Sequence, residues 1–138
     1  MFRGLPQGIS FVTTMPPHKR FQSRYKAEHS LEFRKSEASK AVERYTDRLP
    51  IIVEKVEGSS IPEIDRNKFL VPADISLGQF VLVVRKRVEI QPEQALFLFI
   101  GENIPSNTTI MSDLYAKHKD DDGFLYLCYA AENTFGHQ

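Results

Sequence analysis

Few residues in the chain have the type and spacing that enzyme chemistry requires. Cys128 is the only cysteine, and it lies in an apolar run with no histidine nearby, so burial as a small apolar side chain is favoured over a nucleophilic role. The four histidines are far apart, and no H-x-x-x-H, C-x-x-C or glycine-rich phosphate motif occurs. We therefore expect no catalytic residue, no metal site and no cofactor, in a protein that is not an enzyme.

Two short charged runs have an ordinary structural interpretation. Asp120, Asp121 and Asp122 lack the alternate spacing of a calcium-binding loop, so a solvated turn is favoured. The basic run at 85–87 would point three ways around a helix, which suits the helix dipole and solubility better than a phosphate site. Nucleic acid is not an expected partner.

The length of 138 residues allows one core and leaves no room for a second domain. Even the longest apolar run, at residues 124–131, is far shorter than the roughly 20 residues that cross a bilayer. Membrane association would therefore require an attached group. A single cysteine is compatible with the reducing cytoplasm, which is the expected location.

Charge divides the chain into two parts, although its 18 basic and 18 acidic residues balance. Residues 1–27 contain five basic residues and no acidic one, whereas residues 28–138 contain 13 basic and 18 acidic residues. Residues 1–23 combine glycine, proline, serine and threonine without an apolar period, which predicts a flexible basic extension. A transit peptide is disfavoured because these glycines and prolines break an amphipathic helix; a shorter product that begins at Met15 is a further alternative.

Apolar periodicity and turn residues predict alternating helices and strands in the rest of the chain. A helix begins after Ser30, behind a short turn at residues 25–29, and packs through a thin stripe formed by Leu31, Ala38, Val42 and Tyr45. Strands are predicted at 49–56, 68–72, 95–100 and 124–129, and a short helix at 109–117. Residues 76–88 have the composition of a strand, but Ser76 and Gln79 fit a capping box and the apolar residues recur at helical spacing, so a helix is favoured.

This order predicts an α+β domain with the ubiquitin-like β-grasp fold: a four-stranded mixed sheet on a central helix, with an additional N-terminal helical segment at 24–46. A ferredoxin-like sandwich is the alternative, but its second helix would be short. Residues 130–136 are predicted to form a tail that ends in Gly136. Because glycine lacks Cβ, its carbonyl fits the narrow sites of processing and activating enzymes; a frayed terminus is the other interpretation of these residues.

Several ordered segments together resemble the ubiquitin-like autophagy modifiers of the GABARAP and light-chain-three type. The resemblance runs from about Tyr25 to Gly136. The segments are residues 48–55 (RLPIIVEK), 61–65 (IPEID), 68–74 (KFLVPAD), 78–80 (GQF), 85–87 (RKR), 122–126 (DGFLY) and 132–136 (ENTFG).

In that family a cysteine protease trims the chain after the terminal glycine, and E1-like and E2-like enzymes join this glycine to phosphatidylethanolamine. The resemblance therefore implies that Gly136 is the cleavage and lipidation site and that residues 137–138 are removed. It also implies four partners, namely the protease, the two conjugation enzymes and a phosphatidylethanolamine membrane. The lipidated form would reside on the autophagosome membrane.

The family also binds receptors and adaptors with an aromatic-x-x-aliphatic motif, which adds a strand to an exposed sheet edge. The resemblance places this edge at 68–71. It implies an aromatic pocket formed by Glu37, Ala41, Pro50, Ile52, Lys68, Leu70 and Phe124. It implies an aliphatic pocket formed by Phe69, Val71, Pro72, Ile75, Phe80 and Val83. The residues that would contact acidic flanks of the motif are Arg48, Lys68 and Arg87.

The chain departs from the family pattern at a few positions. Ala41 stands in place of a larger apolar residue beside the aromatic pocket, and Phe69 in place of a tyrosine. Residues 29–31 vary a proline-containing link between the first helices. An unconjugated adaptor of the same fold, acting in receptor trafficking or scaffolding, is the alternative function; the residues that follow Gly136 favour the conjugated modifier.

Overall fold

The computed structural model describes residues 23–131. In chain order its elements are α1 (Arg24–Glu28), α2 (Leu31–Arg44), β1 (Arg48–Lys55), β2 (Lys68–Pro72), α3 (Leu77–Val88), β3 (Leu96–Phe99), α4 (Met111–His118) and β4 (Leu125–Ala131). The predicted basic extension, apart from Ser23, and the predicted cleavage and lipidation site at Gly136 lie outside the described residues.

The strands form one four-stranded mixed sheet in the order β2-β1-β4-β3. β1 and β4 run parallel at its centre, with Ile51 beside Leu125. β2 pairs antiparallel with β1, and β3 pairs antiparallel with β4. This confirms the predicted ubiquitin-like arrangement, and it places β2 at one edge of the described sheet.

α3 supplies the centre of the core on one face of this sheet. Its Leu77, Phe80, Val84 and Val88 are almost completely buried and pack with residues of all four strands. The predicted capping box is present, because the Ser76 hydroxyl accepts from the Gln79 amide and the Gln79 side chain accepts from the Ser76 amide. Burial of this apolar stripe outweighs the weak helix propensity of its valines.

α1 and α2 cover the other face of the sheet, in a way that differs from the predicted stripe. Ser30 caps α2 as predicted, with its hydroxyl accepting from the Phe33 amide at 3.1 Å. Of the stripe, however, only Ala38 is buried, whereas the other three members remain 40–45% exposed. Tyr25 of α1 fills this face instead, packed with Ala38, Ile52 and Phe124. The predicted turn at 25–29 is thus mostly helical. The Tyr25 side chain makes the apolar contacts with this face that were expected of the stripe.

The predicted tail and the predicted short helix both begin at the wrong residue. The tail cannot begin at residue 130, because Ala130 and Ala131 are the buried last residues of β4 and pair with β3. The short helix begins at Met111 rather than at residue 109, since the Met111 amide donates to the Ile75 carbonyl at 2.8 Å.

Candidate functional site

Strand β2 has an open long edge, and its two faces meet different surroundings. Within residues 23–131, β2 pairs with β1 alone. Because side chains alternate along a strand, Lys68 and Leu70 line a pocket beside α2, whereas Phe69 and Val71 pack on the core around α3. An extended peptide added to this edge would therefore reach both surfaces at once.

The pocket beside α2 has a volume of about 290 Å³ and a mainly apolar lining. Its lining consists of Glu37, Lys40, Ala41, Arg44, Tyr45, Pro50, Lys68, Leu70 and Phe124. These include every residue that the resemblance assigns to the aromatic pocket except Ile52. Ile52 does not line the pocket; it packs with Phe124, and both side chains are fully buried.

Three lining residues of this pocket were not among the predicted ones: Lys40, Arg44 and Tyr45. All three lie at or near the C-terminal end of α2. These residues could have been found from helical spacing, because residues four apart lie on the same face of a helix. Tyr45 follows Ala41 by four residues, and Arg44 follows Lys40 by four. The C-terminal part of the α2 face that contains Glu37 and Ala41 therefore lines the pocket.

The pocket rim is basic apart from one carboxylate. Lys68 Nζ donates to Glu37 Oε1 at 3.2 Å, and Lys40 Nζ lies 3.8 Å from Glu37 Oε2. Lys68 Nζ also lies 5.8 Å from the centroid of the Tyr25 ring. Burial, followed by the charge of Glu37, raises the pKa of the Tyr25 phenol, which therefore stays neutral. With Arg44, three cations and one carboxylate line this mainly apolar pocket.

The residues assigned to the aliphatic pocket divide into exposed and buried members. Val71 and Phe80 are 2% and 1% exposed, so in this conformation they form the core and do not offer contact surface. Phe69 is half-buried, with its ring edge-on to Phe80 at 5.4 Å. Pro72, Ile75 and Val83 are partly or well exposed. The accessible surface on the α3 side of β2 therefore consists of four side chains, namely those of Phe69, Pro72, Ile75 and Val83. Val71 and Phe80 belong to the core beneath this surface.

The three predicted flanking cations lie along this groove. Arg48 is exposed and its Nη1 donates weakly to the Leu70 carbonyl at 3.4 Å. Arg87 Nη1 lies 3.4 Å from Asp65 Oδ2, and its guanidinium lies 5.9 Å from the centroid of the Phe69 ring. Its neighbour Arg85 instead donates to the Gln94 carbonyl at 2.6 Å and so holds the loop after α3. Only part of the basic run at 85–87 thus faces the groove.

Phe124 is fixed in the pocket by a network around Asp122. Asp122 Oδ1 accepts from the Phe124 amide at 2.8 Å, and Oδ2 accepts from Arg34 Nε at 2.8 Å and from the Tyr126 hydroxyl at 2.5 Å. Burial and then the hydrogen bond to Asp122 raise the pKa of Tyr126, which keeps this phenol protonated as a donor. The predicted solvated turn is therefore wrong for Asp122, which is 2% exposed and joins α2 to the sheet at the pocket.

A sequence model of the family described as "Autophagy protein Atg8 ubiquitin like" matches residues 33–136. The chain belongs to the Atg8 family. Among its relatives is "Autophagy-related protein 8d" of Arabidopsis thaliana, 54% identical over 114 residues that make up 83% of this chain and 95% of that protein. "Autophagy-related protein 8" of Coccidioides immitis is 53% identical over 115 residues, 83% of this chain and 98% of that protein.

Solved Atg8 structures show the same fold. The crystal structure of Trypanosoma brucei ATG8 has a TM-score of 0.80 and 52% identity, covering 83% of this chain and 99% of that one. Plasmodium falciparum Atg8, solved in complex with a Plasmodium falciparum Atg3 peptide, has a TM-score of 0.73 and 30% identity, covering 79% and 96%. This Atg8-family protein is accordingly a ubiquitin-like autophagy modifier.

Within the described part of this Atg8-family protein, Cys128 does not indicate a reactive thiol site and the helices do not indicate a membrane span. Burial, together with the charge of Glu54, raises the pKa of the Cys128 thiol to about 12. None of the helices within residues 23–131 is both long enough and apolar enough to cross a membrane.

Proposed function

We propose that this Atg8-family protein is cut after Gly136 and joined through that residue to phosphatidylethanolamine on autophagosomal membranes. Before conjugation it would be cytoplasmic. On the membrane its groove would recruit receptors and adaptors that carry an aromatic-x-x-aliphatic motif. The observation that carries the receptor-binding part of this proposal is the open edge of β2 between the pocket beside α2 and the apolar surface beside α3.

The groove supports motif binding because it offers a separate surface to each of the two motif side chains. An aromatic side chain fits a pocket of about 290 Å³, and the aliphatic side chain would lie against Phe69 and Val83. Backbone hydrogen bonds to the β2 edge supply affinity without regard to sequence, so the two side chains supply the selectivity. Arg48, Lys68 and Arg87 would favour ligands with acidic flanks and increase their association rate.

The end of the chain supports conjugation. The range that matches the family ends at Gly136, and the last described strand, β4, ends only five residues earlier, at Ala131. A processing cysteine protease and E1-like and E2-like enzymes would act at Gly136, five residues after the end of β4. The Atg3 peptide bound to Plasmodium falciparum Atg8 supports conjugation enzymes as partners. Two acyl chains, at about 0.8 kcal/mol per buried CH₂, would supply firm membrane attachment.

We propose that the protein itself is not an enzyme and needs no cofactor. The Cys128 thiol, with its pKa raised to about 12, is almost entirely protonated at neutral pH and is a poor nucleophile. Its place inside β4 favours a packing role.

The test is reconstituted conjugation of the wild-type chain and of Gly136→Ala, with Thr134→Ala as the matched control. The purified processing protease, the E1-like and E2-like enzymes and phosphatidylethanolamine vesicles are supplied, and products are identified by intact mass. The wild-type and Thr134→Ala proteins should gain the lipid, and Gly136→Ala should lose at least 90% of the product. Equal lipidation of all three would refute conjugation through Gly136, whereas absence of lipidation in all three would favour the unconjugated adaptor.

A further inference from the structure

The N-terminal extension contains a segment with the spacing of a groove ligand. In Phe2-Arg3-Gly4-Leu5 an aromatic residue is followed three positions later by leucine. Phe11 and Phe21, the other aromatic residues among residues 1–22, are followed at that spacing by Thr14 and Arg24. We propose that residues 2–5 dock on the β2 groove of their own chain as an internal ligand that competes with receptors. The inference rests on the function proposed for this groove.

The extension joins the described residues close to the groove. Ser23 caps α1 and precedes Tyr25 by two residues, which corresponds to at most about 7 Å of chain. The Tyr25 ring lies 5.5 Å from the Phe124 ring and 5.8 Å from Lys68 Nζ. Phe124 and Lys68 both line the pocket, so Tyr25 lies between the start of α1 and the pocket. Ser23 itself lines a different hollow near the end of β1, and the extension would have to span the remaining distance.

The intervening chain is long enough for this contact. Residues 6–22 span at most about 60 Å when fully extended, and a flexible chain of that length has a root-mean-square span of roughly 20–25 Å. A tether with the flexibility predicted from the composition of these residues would hold a ligand at an effective concentration on the order of 1 mM. A contact with only millimolar affinity would therefore occupy the groove for a substantial fraction of the time.

The side chains of the segment match the two surfaces beside β2. The ring of Phe2 suits the mainly apolar pocket, in which Ala41 has the smallest side chain of the lining. Leu5 suits the exposed apolar surface that includes Val83, which is 42% exposed. Pro6 follows directly and has no backbone N–H, so strand pairing with β2 would end there.

Charge makes the internal ligand weak and replaceable. Residues 1–22 carry three basic residues and no acidic one, and the groove is flanked by Arg48, Lys68 and Arg87. Like charges lower the affinity of the internal segment, whereas a receptor with acidic flanks gains attraction at the same cations. The internal segment would thus reject weak ligands and yield to acidic-flanked ones, which raises the selectivity of the groove.

The experiment uses three full-length proteins: wild type, the double variant Phe2→Ala/Leu5→Ala, and Phe11→Ala as a matched control. A synthetic peptide with a Trp-x-x-Leu core and no acidic flank is titrated into each by calorimetry. The double variant should bind two- to tenfold more tightly than wild type, since removing the competitor restores the unoccupied groove. Phe11→Ala should match wild type. The backbone amide resonances of residues 68–71 should shift in the double variant only, at every protein concentration.

Three other outcomes would contradict, respectively, the internal ligand, the proposed groove function and docking within one chain. Equal affinities and unchanged β2 resonances in all three proteins would overturn the internal ligand and leave the groove function intact. Absence of peptide binding by all three would overturn the proposed groove function, and the inference with it. Resonance shifts that grow with protein concentration would show that residues 2–5 bind a second copy, which contradicts docking within one chain.

Discussion

The two faces of the sheet are covered by different kinds of contact. On one face, α3 buries a continuous apolar stripe against all four strands. On the other, α1 and α2 bury only Tyr25 and Ala38 and are held by polar contacts, which include Arg34 to Asp122 and the Tyr25 amide to Glu54 Oε2 at 2.8 Å. The α3 face therefore supplies most of the folding free energy, whereas the α2 face shapes the pocket. The apolar core around α3 and the pocket beside α2 thus lie on opposite faces of the sheet.

The largest expected effect is loss of the core on the α3 face. Phe80→Ala removes a ring that is 1% exposed and should lower the free energy of unfolding by about 4 kcal/mol, through lost burial and a residual cavity. Urea denaturation measures this change. Phe33→Ala, at a side chain that is 45% exposed on α2, is the control and should change stability by less than about 0.5 kcal/mol. Similar losses for both variants would contradict the proposed division between the faces.

The next effect concerns the polar attachment of α2. Arg34→Met leaves the Asp122 carboxylate buried with one fewer donor, which should lower the free energy of unfolding by about 3 kcal/mol. Because the Asp122 network also positions Phe124, the same variant should weaken binding of a motif peptide. Lys35→Met, at the exposed neighbouring position, controls for the change of residue type. If the two variants unfold at the same urea concentration, the network does not hold this face together.

A ligand-binding variant should separate affinity from stability. Leu70→Ala removes a side chain that lines the pocket and is only partly buried, so we expect about 2 kcal/mol of lost peptide affinity, roughly 30-fold. Phe69→Ala should weaken binding in the same direction. Calorimetric titration with a motif peptide measures both, and Leu82→Ala, at a site 60% exposed on α3, is the control. Unaltered affinity in the two β2 variants would show that the groove is placed wrongly.

The smallest effect is a dependence of α1 on pH. Burial raises the pKa of Asp120, but the hydrogen bond from the Lys26 ammonium and the one from the Asp122 amide outweigh it, so the pKa lies below its ordinary value of 3.8. A lowered folded-state pKa stabilises the protein above the ordinary value, and this contribution is lost as pH falls from there through the folded pKa. Because the ion pair is partly exposed, we expect less than about 1 kcal/mol.

Amide hydrogen exchange in α1, measured between pH 5 and pH 2.5 and corrected for intrinsic rates, tests this dependence. Protection of α1 should fall in wild type and in Asp121→Asn, which changes an exposed neighbour. In Asp120→Asn it should be low throughout and nearly independent of pH. A pH dependence retained in Asp120→Asn would assign the effect to another carboxylate.

The two faces also differ in how far the sequence predicts them. The α3 face follows from apolar spacing and the Ser76–Gln79 capping box, since a continuous stripe repeats with the period of its helix. The α2 face does not, because its main contacts join residues far apart in sequence, as in Arg34 and Asp122, which are 88 positions apart. Such polar pairs leave no periodic pattern, and the burial of Tyr25 depends on the tertiary position of a short helix.

The pocket was predictable only in part for the same reason. Resemblance identifies Glu37, Ala41 and Leu70, which line the pocket, but it does not distinguish a lining residue from a supporting one such as Ile52. Nor does it add Arg44 or Tyr45, which follow from the direction of one helical face. Exposure, and therefore contact, is a property of the folded chain.

The most direct test of the modifier account is the intact mass of the protein recovered from soluble and membrane fractions of starved cells. The account predicts a membrane species that ends at Gly136 and carries the added mass of phosphatidylethanolamine, and a soluble species without that lipid. If the chain retains His137 and Gln138 in every fraction and carries no lipid, the account is contradicted and the unconjugated adaptor takes its place.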